Sequence, residues 1–61
     1  VNRIKEIRKL VGMSQNELAR AASVSQPYLY DLERGARGAK PETLARIAEK
    51  LGVKVEDLKV G

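Results

Sequence analysis

The chain predicts an all-α fold, a compact bundle of five short helices forming a single domain over residues 1–61. Three observations carry the prediction. Apolar residues recur at three- and four-residue intervals, residues suited to opening a helix precede these stretches, and glycines suited to closing one follow them. With 61 residues and neither Cys nor His, no disulfide or structural zinc site can substitute for an aliphatic core.

Residues 2–11 space Ile4, Ile7, Leu10 and Val11 as the buried side of helix one, and Gly12 stops it. Lys5 and Lys9 read as solvated. Met13 bridges to a capping box, Ser14 and Glu17, in which each side chain satisfies a backbone N–H of the other residue. Helix two therefore starts near Gln15 and buries Leu18, Ala19 and Ala22, small enough in part for a second helix to cross closely.

Ser23 and Val24 leave room only for a tight corner, because Ser25 is the next good N-cap and Pro27 is tolerated only in a first turn. Helix three runs from Gln26 to Arg34 and stops at Gly35. At about 100° per residue, Leu29, Leu32 and Glu33 share its inner arc while Pro27, Tyr30, Asp31 and Arg34 face outward. A thin apolar stripe and a polar outer face, set across a tight corner, suit a helix-turn-helix whose second helix enters a DNA major groove.

The segment 35–40 reads as a loop, Gly-rich and basic. Pro41 opens helix four, Glu42 complements its positive end, and Leu44, Ile47, Ala48 and Leu51 line it up to Gly52. Val53, Val55 and Leu58 indicate a fifth short helix over residues 55–59.

The net charge of +4 is unevenly distributed. Residues 1–40 hold eight Lys or Arg against four Asp or Glu, whereas residues 41–61 hold four of each. The excess positive charge thus lies with the helix-turn-helix, as expected of a nucleic-acid binder. No apolar run approaches the ~20 residues of a membrane span and no signal-peptide pattern opens the chain. These features lead to an expectation of a cytoplasmic, nucleoid-associated protein without membrane contact. The start at Val1 rather than Met implies processing or a piece of a longer chain. No Cys or His nucleophile, phosphate loop or placed carboxylate pair is present, Glu56 and Asp57 being adjacent near the end, so no enzyme, cofactor or metal is expected.

The run Ser14, Gln15, Glu17, Leu18, Ala19, Val24, Ser25, Leu29, Leu32, Glu33 and Gly35 resembles the helix-turn-helix of the phage repressor and Cro class of bacterial regulators, the XRE family. Similarity continues through Ile4, Ile7, Arg8 and Gly12 upstream, and through Pro41, Leu44, Ile47, Ala48, Leu51, Gly52 and Val53 downstream. Ser23 departs from the pattern, which usually has Gly there. A non-Gly residue at positive φ costs roughly 1 kcal/mol, so the corner is either mildly strained or differently shaped.

The resemblance implies a lambda repressor-like bundle, an Arg8–Glu33 pair joining helix one to helix three, and a Gln15 that meets a DNA phosphate while bracing Gln26. Asn16 is a further candidate phosphate contact. From side-chain chemistry, Gln26 can pair with adenine N6 and N7, Asp31 can accept from a cytosine amino group unless Arg34 neutralises it, and Pro27 suits a thymine methyl. Tyr30 points toward base edges or a phosphate. Tyr28 either packs beside Leu32 or meets a phosphate at the flank. In similar proteins the loop after helix three contacts phosphates, which nominates Arg34, Arg37 and Lys40. The expectation is a repressor that binds double-stranded DNA as a homodimer. The alternative is a protein-interaction module such as an antitoxin or bridging factor, for which the Tyr28 and Tyr30 pair beside Asp31 would be the contact surface.

Overall fold

Each helix begins where a side chain or a proline relieves its unpaired N–H groups, and ends where the backbone turns left-handed. The computed structural model describes residues 2–59. It contains α1 (Ile4–Val11), α2 (Gln15–Ala21), α3 (Gln26–Glu33) and α4 (Pro41–Leu51), followed by a 3-10 turn over Val55–Leu58. The Asn2 side-chain oxygen accepts the Ile4 N–H at 3.0 Å. Ser14 Oγ accepts from Glu17 N–H while Glu17 returns the bond to Ser14 N–H, closing the capping box. Ser25 Oγ accepts the Tyr28 N–H, and Pro27 and Pro41 occupy first turns.

All four helices close in the same way. An N–H five residues on bonds back to a carbonyl of the last turn: Met13 to Arg8, Val24 to Ala19, Ala36 to Asp31 and Val53 to Ala48, at 2.9 to 3.1 Å. This closure requires a left-handed residue just past the helix. Glycine supplies it at Gly12, Gly35 and Gly52, and Ser23 supplies it at the corner with φ of 58°.

Ile4, Leu18, Leu29, Leu32, Ile47 and Leu58 are fully buried, so every element contributes to one core. Buried Ala19 and Ala22 let α2 pack against both α3 and α4. The Arg3 N–H donates to Leu58 O at 2.8 Å, Asn2 pairs antiparallel with Lys59, and Asn2 Nδ2 donates to Leu32 O at 2.7 Å. These bonds tie the start of the chain to its last turn and to the end of α3.

Two expectations are corrected. The described residues form four α-helices rather than five, because the segment after Lys54 completes only one turn. It is closed by i to i+3 bonds from Asp57 N–H to Lys54 O and from Lys59 N–H to Glu56 O, and is anchored by buried Leu58. Leu10 and Val11 are not core residues, being 77% and 49% exposed. Leu10 lies about 60° past Ile7 around the helix, off the inner arc. Val11 shares that arc but sits in the last turn, where the chain reverses at Gly12 and Met13 packs against the core instead.

Ser23→Gly is expected to raise the unfolding free energy by on the order of 1 kcal/mol, since it relieves a left-handed Cβ at little other cost. A urea melt reads this out, and a destabilised variant would show that the Ser23 side chain contributes more than the strain removes. The Ser14 N–H, followed by the Ser14 hydroxyl, holds the exposed Glu17 carboxyl below its usual 4.5. A depressed folded-state value means stability that is present above 4.5 and lost as the pH falls through the folded value. Glu17→Gln should therefore show a shallower loss of melting temperature than the parent chain between pH 5 and pH 3, the range on the order of the carboxylate titration.

Candidate nucleic-acid interface

The corner between α2 and α3 is held from outside as well as within. The Ala22 carbonyl, left without a helical partner just before strained Ser23, accepts Arg46 Nε from α4 at 2.7 Å. This cap was not apparent from the sequence. Arg46 lies on the polar side of α4, and nothing local marks it as a partner for a residue 24 positions away.

Beyond the corner, α3 buries Leu29, Leu32 and Glu33 and exposes Gln26, Pro27, Tyr30 and Arg34, with Tyr28 and Asp31 half-buried. A carboxylate facing inward needs compensation. Arg8 provides it with a two-pronged bond, Nε to Glu33 Oε2 at 2.8 Å and Nη2 to Oε1 at 3.2 Å, and Arg8 Nη1 also donates to Met13 O at 2.9 Å. The paired side chains are only 10% and 3% exposed. Among the described residues no buried side-chain polar atom lacks a partner.

From this pair a chain of polar bonds runs outward with fixed direction. Glu33 can only accept, so Gln15 must turn its amide nitrogen inward, donating Nε2 to Glu33 Oε1 at 3.1 Å. That leaves Gln15 Oε1 facing out, where it accepts from Gln26 Nε2. Gln26 consequently presents a free oxygen and one remaining N–H on the exposed face. An acceptor beside a donor is the complement of adenine N6 and N7 in the major groove.

The flanks of α3 carry positive charge. The Arg34 guanidinium lies 5.5 Å from the Tyr30 ring centre, and that of Arg37 lies 5.2 Å from the Tyr28 ring centre. Arg34 Nε also approaches Asp31 Oδ1 at 3.5 Å, so the one acidic side chain on this face is partly neutralised. Tyr28 packs against the core as well, which makes its ring a fixed platform for Arg37. Asn16, Arg37 and Lys40 are exposed, Asn16 in the first turn of α2 and Lys40 just before α4. The structure therefore gathers Gln15, Gln26, Tyr30, Asp31 and Arg34 along α3, with Arg37 reaching it through Tyr28. No helix among the described residues is long and apolar enough to cross a membrane.

Residues 4–58 match the sequence pattern of a family described as helix-turn-helix. The chain is 42% identical over 59 residues to the HTH-type transcriptional regulator DdrOP3 of Deinococcus deserti, covering 97% of this chain and 46% of that protein. It is 42% identical over 53 residues to the immunity repressor protein of Bacillus phage phi105, covering 87% and 37% respectively. Among solved structures, SinR of Bacillus subtilis in complex with DNA superposes with a TM-score of 0.84 at 36% identity, covering 90% of this chain and 92% of that one. The chain spans less than half the length of these two relatives.

Arg8→Met should destabilise the fold by about 3 to 5 kcal/mol, because it strands a buried carboxylate. Arg8→Met combined with Glu33→Leu should recover most of that loss. A double variant no more stable than the single one, by chemical denaturation, would show that Arg8 acts through its bond to Met13 rather than through Glu33.

Proposed function

The chain belongs to the helix-turn-helix family, and we propose that it is a sequence-reading DNA-binding regulator that lays α3 in the major groove. The family is a DNA-binding, non-enzymatic one. The observation that carries this reading is the directed chain from Arg8 through Glu33 and Gln15, which leaves Gln26 with an outward acceptor and donor in place before any base arrives. Preorganisation of this kind reduces the side-chain ordering that binding must otherwise impose.

In this reading Gln26 reads adenine, Pro27 meets a thymine methyl, and Tyr30 contacts an adjacent base edge. Asp31 pairs with Arg34 and orients its guanidinium, the second of the two roles open to it, in place of reading a cytosine amino group. Gln15, Asn16, Tyr28, Arg34, Arg37 and Lys40 hold the phosphates and set the register of the helix. Its likeness to a phage immunity repressor supports a role as a repressor. It binds as a homodimer on an inverted repeat with half-sites about one helical turn apart. The competing reading, in which Tyr28 and Tyr30 face a partner protein, is disfavoured by the guanidinium groups stacked on both rings.

Enrichment from a random duplex library, followed by titration of the best and a scrambled site, tests the proposal. A palindrome bound far more tightly than the scrambled duplex is expected, and equal binding to both would overturn sequence reading. On the enriched site Gln26→Ala should cost about 1 to 3 kcal/mol and relax preference at one base position. A loss of the same size on every sequence would remove Gln26 from base reading.

A further inference from the structure

A solvent-open cavity of about 300 Å³ lies where α1, α2 and α3 meet, lined by Lys5, Arg8, Gln15, Tyr30, Glu33 and Arg34. Arg8 and Glu33 form its floor and cancel each other through their two-pronged bond. What remains in the lining is Lys5 from α1 and Arg34 at the end of α3, the latter sharing its charge with Asp31 at 3.5 Å, together with Tyr30 and Gln15. Lys5 has no ion-pair partner among the described residues, whereas Arg3, just before the same helix, is held by Glu6 at 3.1 Å. Two outward cations around a polar hollow favour an anion over a metal ion or an apolar ligand.

Which anion follows from where the hollow sits. Tyr28 and Tyr30 are about 200° apart around α3. Arg37 stacks on the first and Arg34 on the second, so the cationic groups stand on opposite sides of the helix. A helix in the major groove has a phosphate backbone on each side of it. The loop carrying Arg37 and Lys40 serves one side. The cavity, lined by Tyr30 and Arg34, belongs to the other, and through Gln15 it adjoins Gln26.

Resting on the DNA-binding reading above, we propose that this cavity seats a backbone phosphodiester of the bound DNA, and that Lys5 is a phosphate-binding residue acting across the hollow from Arg34. Lys5 thereby makes α1, otherwise a packing element, part of the interface.

The test compares the whole chain with Lys5→Gln and with Lys50→Gln, a charge-matched change at an exposed position on α4 outside the lining of this cavity. Each is titrated with the enriched and scrambled duplexes over a range of salt. Lys5→Gln should weaken both duplexes by about three- to tenfold and reduce the slope of log affinity against log salt by about 0.9, with Lys50→Gln changing each far less. Neutral methylphosphonate is then substituted at one phosphate at a time. At one position in each half-site the parent chain should lose affinity and Lys5→Gln should lose no more. Equal effects of Lys5→Gln and Lys50→Gln, or the same loss for both proteins at every position, would overturn the inference while leaving the DNA reading intact. Failure of the parent chain to bind any duplex would overturn both. Saturable binding of inorganic phosphate at Lys5, with DNA affinity indifferent to Lys5→Gln, would assign the hollow to a free anion and overturn the DNA assignment.

Discussion

Glu33 sits on the inner face of α3 and can remain charged there only because Arg8 reaches across from α1 with a two-pronged bond. Replacing such a pair by hydrocarbon is often neutral for stability, so stability alone is a poor account of it. Its consequence here is directional. A carboxylate that only accepts forces the Gln15 amide into one of its two orientations, and Gln15 in turn orients Gln26. The chemistry shown on the outside of α3 is decided by a charge buried beneath it.

The backbone works to the same end. Four helices averaging little more than two turns cannot be stable alone, and each relies on explicit caps and on packing against its neighbours. One closing motif used four times gives short connections, and at the α2–α3 corner it accepts a strained Ser23 where glycine would be relaxed. Arg46 then fastens the carbonyl just before that residue from the far side of the core. The angle between the two helices is therefore set by α4 and α1 as much as by the corner itself. This is how a chain with a small core can present one helix in a defined pose.

The electrostatics divide the molecule in a way that composition only outlined. The basic excess of residues 1–40 is partly absorbed by Glu6, Glu33 and Asp31. The remainder is arranged around α3, with two guanidinium groups held over tyrosine rings. Stacking of this kind limits the freedom of a long side chain without neutralising it. Asp31, which would repel phosphates if left alone, lies against Arg34 instead of standing free.

The sequence by itself determined, to within a residue or two, where the four α-helices begin and end. Ser14 with Glu17, Ser25 with Pro27, and Gly12, Gly35 and Gly52 act through bonds spanning only a few residues, so their consequences are local and legible. It also carried the inner arc of α3 and the family resemblance, and it left the Ser23 corner either strained or differently shaped, which the structure decides with a φ of 58°. Tertiary structure alone decided what depended on distant partners. Leu10 and Val11 are apolar at helical spacing yet exposed, because spacing names a stripe and only the neighbouring elements determine how much of it is covered. Arg46 and Asn2 look like ordinary polar residues until their acceptors, 24 and 30 positions away, are brought beside them. The last segment remains a single 3-10 turn because it is anchored at Leu58 and bonded back to Arg3 after too few residues to form an α-helix. Local bonds are written in neighbouring residues, whereas burial, amide direction and capping at a distance are properties of the assembled core.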